Sequence, residues 1–354
     1  MKKILIAVAA ISVALASCSK NEDGGTNPGN PNKISFANYN DKFTRAAVLD
    51  GTALEAQGFN VIANIVGNTN LTSFMPNVPI TFSGGVWSSA TDYFWPGNNV
   101  AVDFYAYSSS QTLTPTATGL VSPVIAATAA SQDDIIVSEK ESQASGTVSF
   151  TFNHVLSKVN FKVVCGEGVE VVINSFAIQG VADASASLNL TTGNFATPSA
   201  GAARTDLYTY GSGSPFPLTI AATDAGGKLL DGTAGAFMLL PQTGITGYVP
   251  NPSSPATGDG ARIMISYKMK IDGVTIVENL TTPGDFRDAF FPLPDGSWDK
   301  GKSYLYTLTF AKGSGGGVDP DTEEPIIEGN GKILFDVAIV NGWDTDTDVV
   351  VPNN

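Results

Sequence analysis

A lone histidine, two cysteines, many carboxylates and one glycine-lysine loop are the residues with which this chain could do chemistry. Their spacing argues against most of it. His154 is the only histidine. A catalytic triad or metal centre needs several converging partners, and no Cys/His cluster, His-Glu-x-x-His pair or nucleophile elbow accompanies it, so a structural histidine is expected. The stretch GSWDKGKS at 296–303 satisfies the G-x-x-x-x-G-K-[ST] spacing of a phosphate-binding loop. That chemistry needs a buried strand before the loop and a helix N-terminus after it, yet FFPLPD precedes and the alternating YLYTLTF follows, which predicts a chance match. Asp344, Asp346 and Asp348 begin like a calcium loop, but Val349 stands where the sixth-position glycine belongs. Aspartate and glutamate total 33 against 19 lysines and arginines. No spacing among these carboxylates singles out an acid–base pair, and neither enzyme activity nor a cofactor or metal is expected.

Two residues carry processing chemistry instead. Cys18 closes LASC, after Lys2, Lys3 and an apolar run from Ile4 to Leu15. The run is short for a bilayer and polar residues follow it, so 1–17 reads as a signal peptide. Small residues before a cysteine are what a lipoprotein peptidase requires, which makes Cys18 the expected lipidation site. More than one acyl chain there would give a stable outer-membrane anchor. Arg45, the first of four arginines, precedes Ala46 in NDKFTRAAVLDG, between a short strand-like stretch and the body of the chain. A basic side chain on such a connection suits a trypsin-like protease pocket. Cys165, in FKVVCGEG, is expected to be a buried small hydrophobe, and with Cys18 committed to lipid no intrachain disulfide pair remains.

The elements that position these residues are β. Residues 19–32, SKNEDGGTNPGNPN, have no apolar side chain and form a flexible tether from Cys18. Beyond it, Val100, Val102, Phe104 and Ala106 alternate with Ala101, Asp103, Tyr105 and Tyr107; Val148, Phe150 and Phe152 share a face, as do Tyr304, Tyr306, Leu308 and Phe310. The apolar phase shifts from even to odd numbers after Phe152, which requires a bulge or break near His154. Turn signals throughout favour antiparallel sandwiches. The expected order is therefore a signal peptide 1–17, a tether 18–32, two β-sandwich domains at 33–148 and 149–312, a glycine-rich hinge 313–331 and a C-terminal strand and tail 332–354. In the last of these, Ile333, Phe335, Val337 and Ile339 share a strand face, and Val349 and Val351 lie in a final apolar patch. All six are candidate donor-strand residues, since a hinged strand can pair with its own domain or with a neighbour's. The net charge of −14 repels nucleic acid, which is not an expected partner.

Taken together, LASC at 15–18, ISF at 34–36 with TRA at 44–46, YFWPGNNVAVDFYAYSS at 93–109, FNHVLSKVNFKV at 152–163, GKSYLYTLTF at 301–310 and ILFDVAIVNGW at 333–343 resemble the fimbrillin-like lipoproteins of Bacteroidetes, subunits of type V pili. The resemblance implies two transthyretin-like, Greek-key β-sandwiches in tandem with a C-terminal extension strand. It also implies assembly by strand exchange with other pilus subunits at the cell surface. An arginine-specific protease would cut at Arg45, removing the leader and the first strand, and another subunit's C-terminal strand would fill the groove. A surface-anchored or tip adhesin is the alternative, with Trp87, Trp95 and Tyr105 as candidate sugar-stacking aromatics.

Overall fold

The computed structural model describes residues 32–38, 51–181, 185–196, 207–210, 215–232, 235–251, 260–327, 333–341 and 350–351. Cys18, Arg45, Ala46 and Val349 lie outside them. The principal strands are β1 (Ser35–Asn38), β2 (Phe59–Ile65), β3 (Met75–Ser83), β4 (Val86–Ser89), β5 (Val102–Ser108), β6 (Ile136–Ser138), β7 (Thr147–Phe150), β8 (Phe152–His154), β9 (Ser157–Cys165) and β10 (Val169–Gln179). They continue with β11 (Arg262–Ile271), β12 (Val274–Val277), β13 (Arg287–Pro292), β14 (Lys302–Phe310), β15 (Leu334–Asn341) and β16 (Val350–Val351). The one α-helix among the described residues, α1 (Gly51–Gln57), buries only Leu54.

The first sheet runs β8-β6-β5-β2-β3-β4-β1-β7, with Glu141–Gln143 also on β5. Its two ends, β7 and β8, are consecutive in sequence and separated only by Thr151. The sheet therefore wraps on itself and encloses a core of Ile34, Phe36, Phe59, Val61, Trp87, Trp95, Phe104, Phe150 and Phe152. After His154 the chain breaks, and Ser157 begins a strand of a different sheet, Lys228–Leu229 then β9-β14-β15-β16. This is where the apolar phase shifts. In β9 the odd residues Val159, Phe161 and Val163 are buried, and in β14 Tyr304, Tyr306, Leu308 and Phe310 are. A third sheet, Leu207–Thr209 then β10-β11-β12 with β13 on β11, packs its own apolar face into the same larger core.

Two pairings depart from the antiparallel expectation. β1 runs parallel to β7, and β9 runs parallel to β14. In each case the partners are remote in sequence, so no tight hairpin dictates their direction. β5 is covered on both faces. Phe104 and Ala106 face the first core, while Tyr105 and Tyr107 join Ile62 in the larger one. Trp87, Trp95 and Tyr105 are 5, 8 and 7 % exposed, so the stacking platform suggested for them is corrected: Trp87 and Trp95 fill the first core, and Tyr105 fills the larger one because both faces of β5 are covered. GSWDKGKS forms the short strand Gly296–Trp298, a turn and the start of β14, and Lys302 pairs with Asp299 at 2.7 Å. His154 Nδ1 lies 3.0 Å from the buried Asp134 Oδ2, and Cys165 is buried, its thiol pushed up to about 11 by that burial. Among the described residues no helix is long and apolar enough to cross a membrane.

Candidate strand-exchange site

β1 occupies a slot between β4 and β7. Ile34, just before β1, and Phe36 within it alternate with Lys33 and Ser35, so this short extended segment presents two large apolar side chains inward, 3 and 5 % exposed. The Phe36 ring lies over Phe150 at 6.1 Å, nearly parallel, and meets Phe104 edge-on at 6.4 Å. Phe36 pairs with Trp87 of β4, whose indole packs on Phe59 and Phe82. On the other edge Ser35, Phe36, Ala37 and Asn38 stand opposite Thr147, Val148, Ser149 and Phe150. On the outward face the Ser35 and Thr147 hydroxyls bond at 2.9 Å. Where the chain enters, Ile34 N–H donates to Tyr93 O, Trp95 N–H donates to Asn32 O, and Lys33 Nζ lies 2.5 Å from Asp92 Oδ1. Removing β1 would bare two strand edges at once and open the sites of two core side chains. Arg45 follows β1 in sequence and precedes α1.

The C-terminal strand is placed at home. β15 runs antiparallel along β14 over eight residue pairs, from Lys302 opposite Asn341 to Thr309 opposite Leu334, and so covers what would be an open sheet edge. Of the donor candidates, Ile333 is buried, Phe335 and Val337 are half-buried against the larger core, and Ile339 is 40 % exposed. Val351, in β16, pairs with Val337. The six donor candidates thus divide: Phe335, Val337 and Ile339 lie in β15 with Ile333 just before it, Val351 lies in β16, Val349 lies outside the described residues, and the β1 slot is on another sheet.

Sequence reasoning missed the way the chain travels between β14 and β15. Antiparallel neighbours can be joined by a two-residue turn. Here the connection instead crosses to the third sheet. Tyr267, buried so that its phenol is pushed far up, donates its hydroxyl to Gly315 O and Gly316 O at 2.8 and 2.7 Å. Val318 and Phe290 exchange backbone hydrogen bonds, and Arg287 Nη2 lies 2.9 Å from Asp319 Oδ2. Burial would raise the Asp319 carboxyl, but the Arg287 guanidinium and the Asp321 and Thr322 N–H groups outweigh it and hold the carboxyl below its ordinary range. Ile326 and Ile327 then pack against the larger core. The glycines expected to make a loose hinge serve close approach here. At Gly317, with φ +67°, an added Cβ would meet the Phe291 ring at 2.8 Å.

The fold has solved counterparts. A fimbrial protein from Bacteroides vulgatus superposes with a TM-score of 0.62 at 16 % identity, covering 88 % of this chain and 100 % of that one. A protein from Bacteroides uniformis, described as a candidate cell adhesion protein, covers 88 % of this chain and 98 % of its own at 14 % identity, with a TM-score of 0.49. The comparison with curated proteins returns no match. The fimbrillin-like family model matches residues 44–332, most of the chain's length. On that match, the chain belongs to the fimbrillin-like family.

Proposed function

We propose that this protein is a surface lipoprotein that serves as a structural subunit of a pilus and assembles by strand exchange. Cys18 carries the lipid anchor to the outer membrane. An arginine-specific protease cuts between Arg45 and Ala46, β1 departs with the leader, and the C-terminal strand of another subunit enters the vacated slot. In this reading the two cores belong to two β-sandwich units joined near His154, and 332–354 is the extension strand.

The observation that carries the proposal is the construction of β1. It is a four-residue strand with a partner on each edge, it is bound mainly through Ile34 and Phe36, and the only arginine before residue 204 lies a few residues downstream. A strand that is short, inward-packed and followed by a cleavable bond can be replaced without rebuilding the sheet around it. Family membership supports a pilus or adhesion role. The adhesin alternative loses the aromatic platform first suggested for it.

The test uses full-length protein treated briefly with an arginine-specific protease. A fragment beginning at Ala46 should appear together with oligomers that survive mild denaturant, and Arg45→Ala should abolish both while leaving the melting curve unchanged. Cys18→Ser should move the protein from the membrane to the soluble fraction. Equal oligomerisation by the uncut Arg45→Ala variant would separate cleavage from assembly and defeat the proposal.

A further inference from the structure

The C-terminal strand begins as a near copy of the strand it would replace. Residues 33–36 read Lys-Ile-Ser-Phe and residues 332–335 read Lys-Ile-Leu-Phe; Lys-Ile-x-Phe occurs at these two places and nowhere else in the chain. The two inward residues, Phe36 of β1 and Ile34 just before it, are the ones reproduced, as Phe335 and Ile333. The position that differs is the outward one, Ser35 against Leu334. Leu334 is 62 % exposed on β15, so its side chain is already tolerated at a surface.

We infer that the C-terminal strand of a second copy of this chain enters the β1 slot in the direction and register of β1 itself. It then lies parallel to β7 and antiparallel to β4, with Ile333 in the place of Ile34 and Phe335 in the place of Phe36. This rests on the strand-exchange reading and adds to it the segment, its orientation and its register.

Packing selects that register. The Phe36 site is bounded by the Phe104 and Phe150 rings and by Trp87 across the ladder. Refilling it with phenylalanine, and its neighbour with isoleucine, leaves neither void nor clash. A slip by one residue turns Leu334 and Asp336 inward, and a slip by two sets isoleucine in the phenylalanine site. A reversed strand of the same sequence carries its lysine to the end of the slot opposite Asp92, which holds Lys33 now.

The copy also improves on the original. In the shared register Val337 stands where β1 has Asn38, and Ile339 where the sequence has Asn40. β1 spans four residues and β15 eight, so the incoming strand fills the whole β7 edge and carries further apolar side chains beyond it. In the single subunit the same inward residues are turned to β14 and the larger core, with Phe335 opposite Leu308, so the copy is occupied until exchange takes it.

Two measurements on the full chain test this. The first grafts the donor sequence onto β1 with Ser35→Leu, Ala37→Asp and Asn38→Val, leaving Ile34 and Phe36 untouched. If the segment fits the slot in β1's register, the graft melts within about 2 °C of the parent, while the exchange Ile34→Phe with Phe36→Ile melts lower by about 5 °C or more. A graft that melts as low as the exchanged pair overturns the fit, whether or not oligomers form.

The second mixes a Thr147→Cys subunit with a Leu334→Cys subunit after arginine-specific proteolysis and oxidises the mixture. Ser35 faces Thr147 in the present ladder, so a 147–334 disulfide is expected between subunits, and none when Asp336→Cys replaces Leu334→Cys. Protease-dependent oligomers that crosslink through position 336, or through 344–354, overturn the register while leaving strand exchange standing. If no protease-dependent oligomer forms, strand exchange itself fails and this proposal falls with it, a result the gel shows independently of any crosslink.

Discussion

β1 and β15 hold their places by different means. β1 has four residues, and the inward side chains of Phe36 and of Ile34 just before it are sunk to 5 and 3 % exposure. β15 has eight residues and a continuous ladder to β14, but the side chains described along it and just before it range from 7 % exposed at Ile333 to 62 % at Leu334. The first strand is therefore secured chiefly by what its side chains fill, and the second chiefly by the backbone pairs it makes. A strand of the first kind can be supplanted by anything that carries the same two side chains. One of the second kind must be lifted from its partner along its length.

Truncation should separate the two most strongly. Deleting residues 332–354 removes the apolar cover supplied by Ile333, Phe335 and Val337 and bares the β14 edge, a loss on the order of 4 kcal/mol. Deleting 344–354 leaves β15 intact. Differential scanning calorimetry should show a lowered or split transition for the first and a near-parental one for the second. Equal melting of the two would mean that β15 contributes nothing to its own domain.

Side-chain truncation should rank the strands in the reverse order. Phe36→Ala empties a site walled by aromatic rings and is expected to cost about 3 kcal/mol, whereas Phe335→Ala, half-buried at a sheet edge, should cost about 1 kcal/mol. Urea unfolding of the two variants would reverse the comparison if Phe335→Ala proved the more damaging.

The smallest effect concerns the connection that leads to β15. Asp319 has its carboxyl held below 3.8 in the folded protein, so its contribution is complete at neutral pH and is lost as the pH falls through that depressed value. As the pH falls below 3.8 the parent should lose a small stabilisation that Asp319→Asn, already lacking it at pH 7, does not lose. Chemical denaturation at pH 7 and pH 3 checks this, and parallel pH profiles for the two proteins would remove the Arg287 pair from the account of how β15 is tethered.

Much of this arrangement was legible in the sequence because it is local. Alternation placed Val159, Phe161 and Val163 on the inner face of β9 and Tyr304 to Phe310 on that of β14. The phase shift after Phe152 located the passage from one sheet to another. What period-two patterning does not carry is partner identity. Nothing in ISFAN announces a parallel neighbour at Thr147, and nothing in the glycines of 313–317 distinguishes freedom from close approach to Phe291 and Phe310. Trp87, Trp95 and Tyr105 misled for a related reason: alternation does not say which aromatic faces a core, nor that both faces of β5, which carries Tyr105, are covered.

The distance in sequence between β1 and its partners has a kinetic meaning. Ser35 and Thr147 are 112 residues apart, whereas β3 and β4 are joined by a turn of two residues. Closing the larger loop costs more chain entropy before any contact repays it, so the β2-β3-β4 meander is expected to form early and β1 to dock late, onto a sheet already assembled around the gap. The order of events in folding then leaves a receptive intermediate: a sheet complete except for one strand, indifferent to whether that strand arrives from its own chain or from the next.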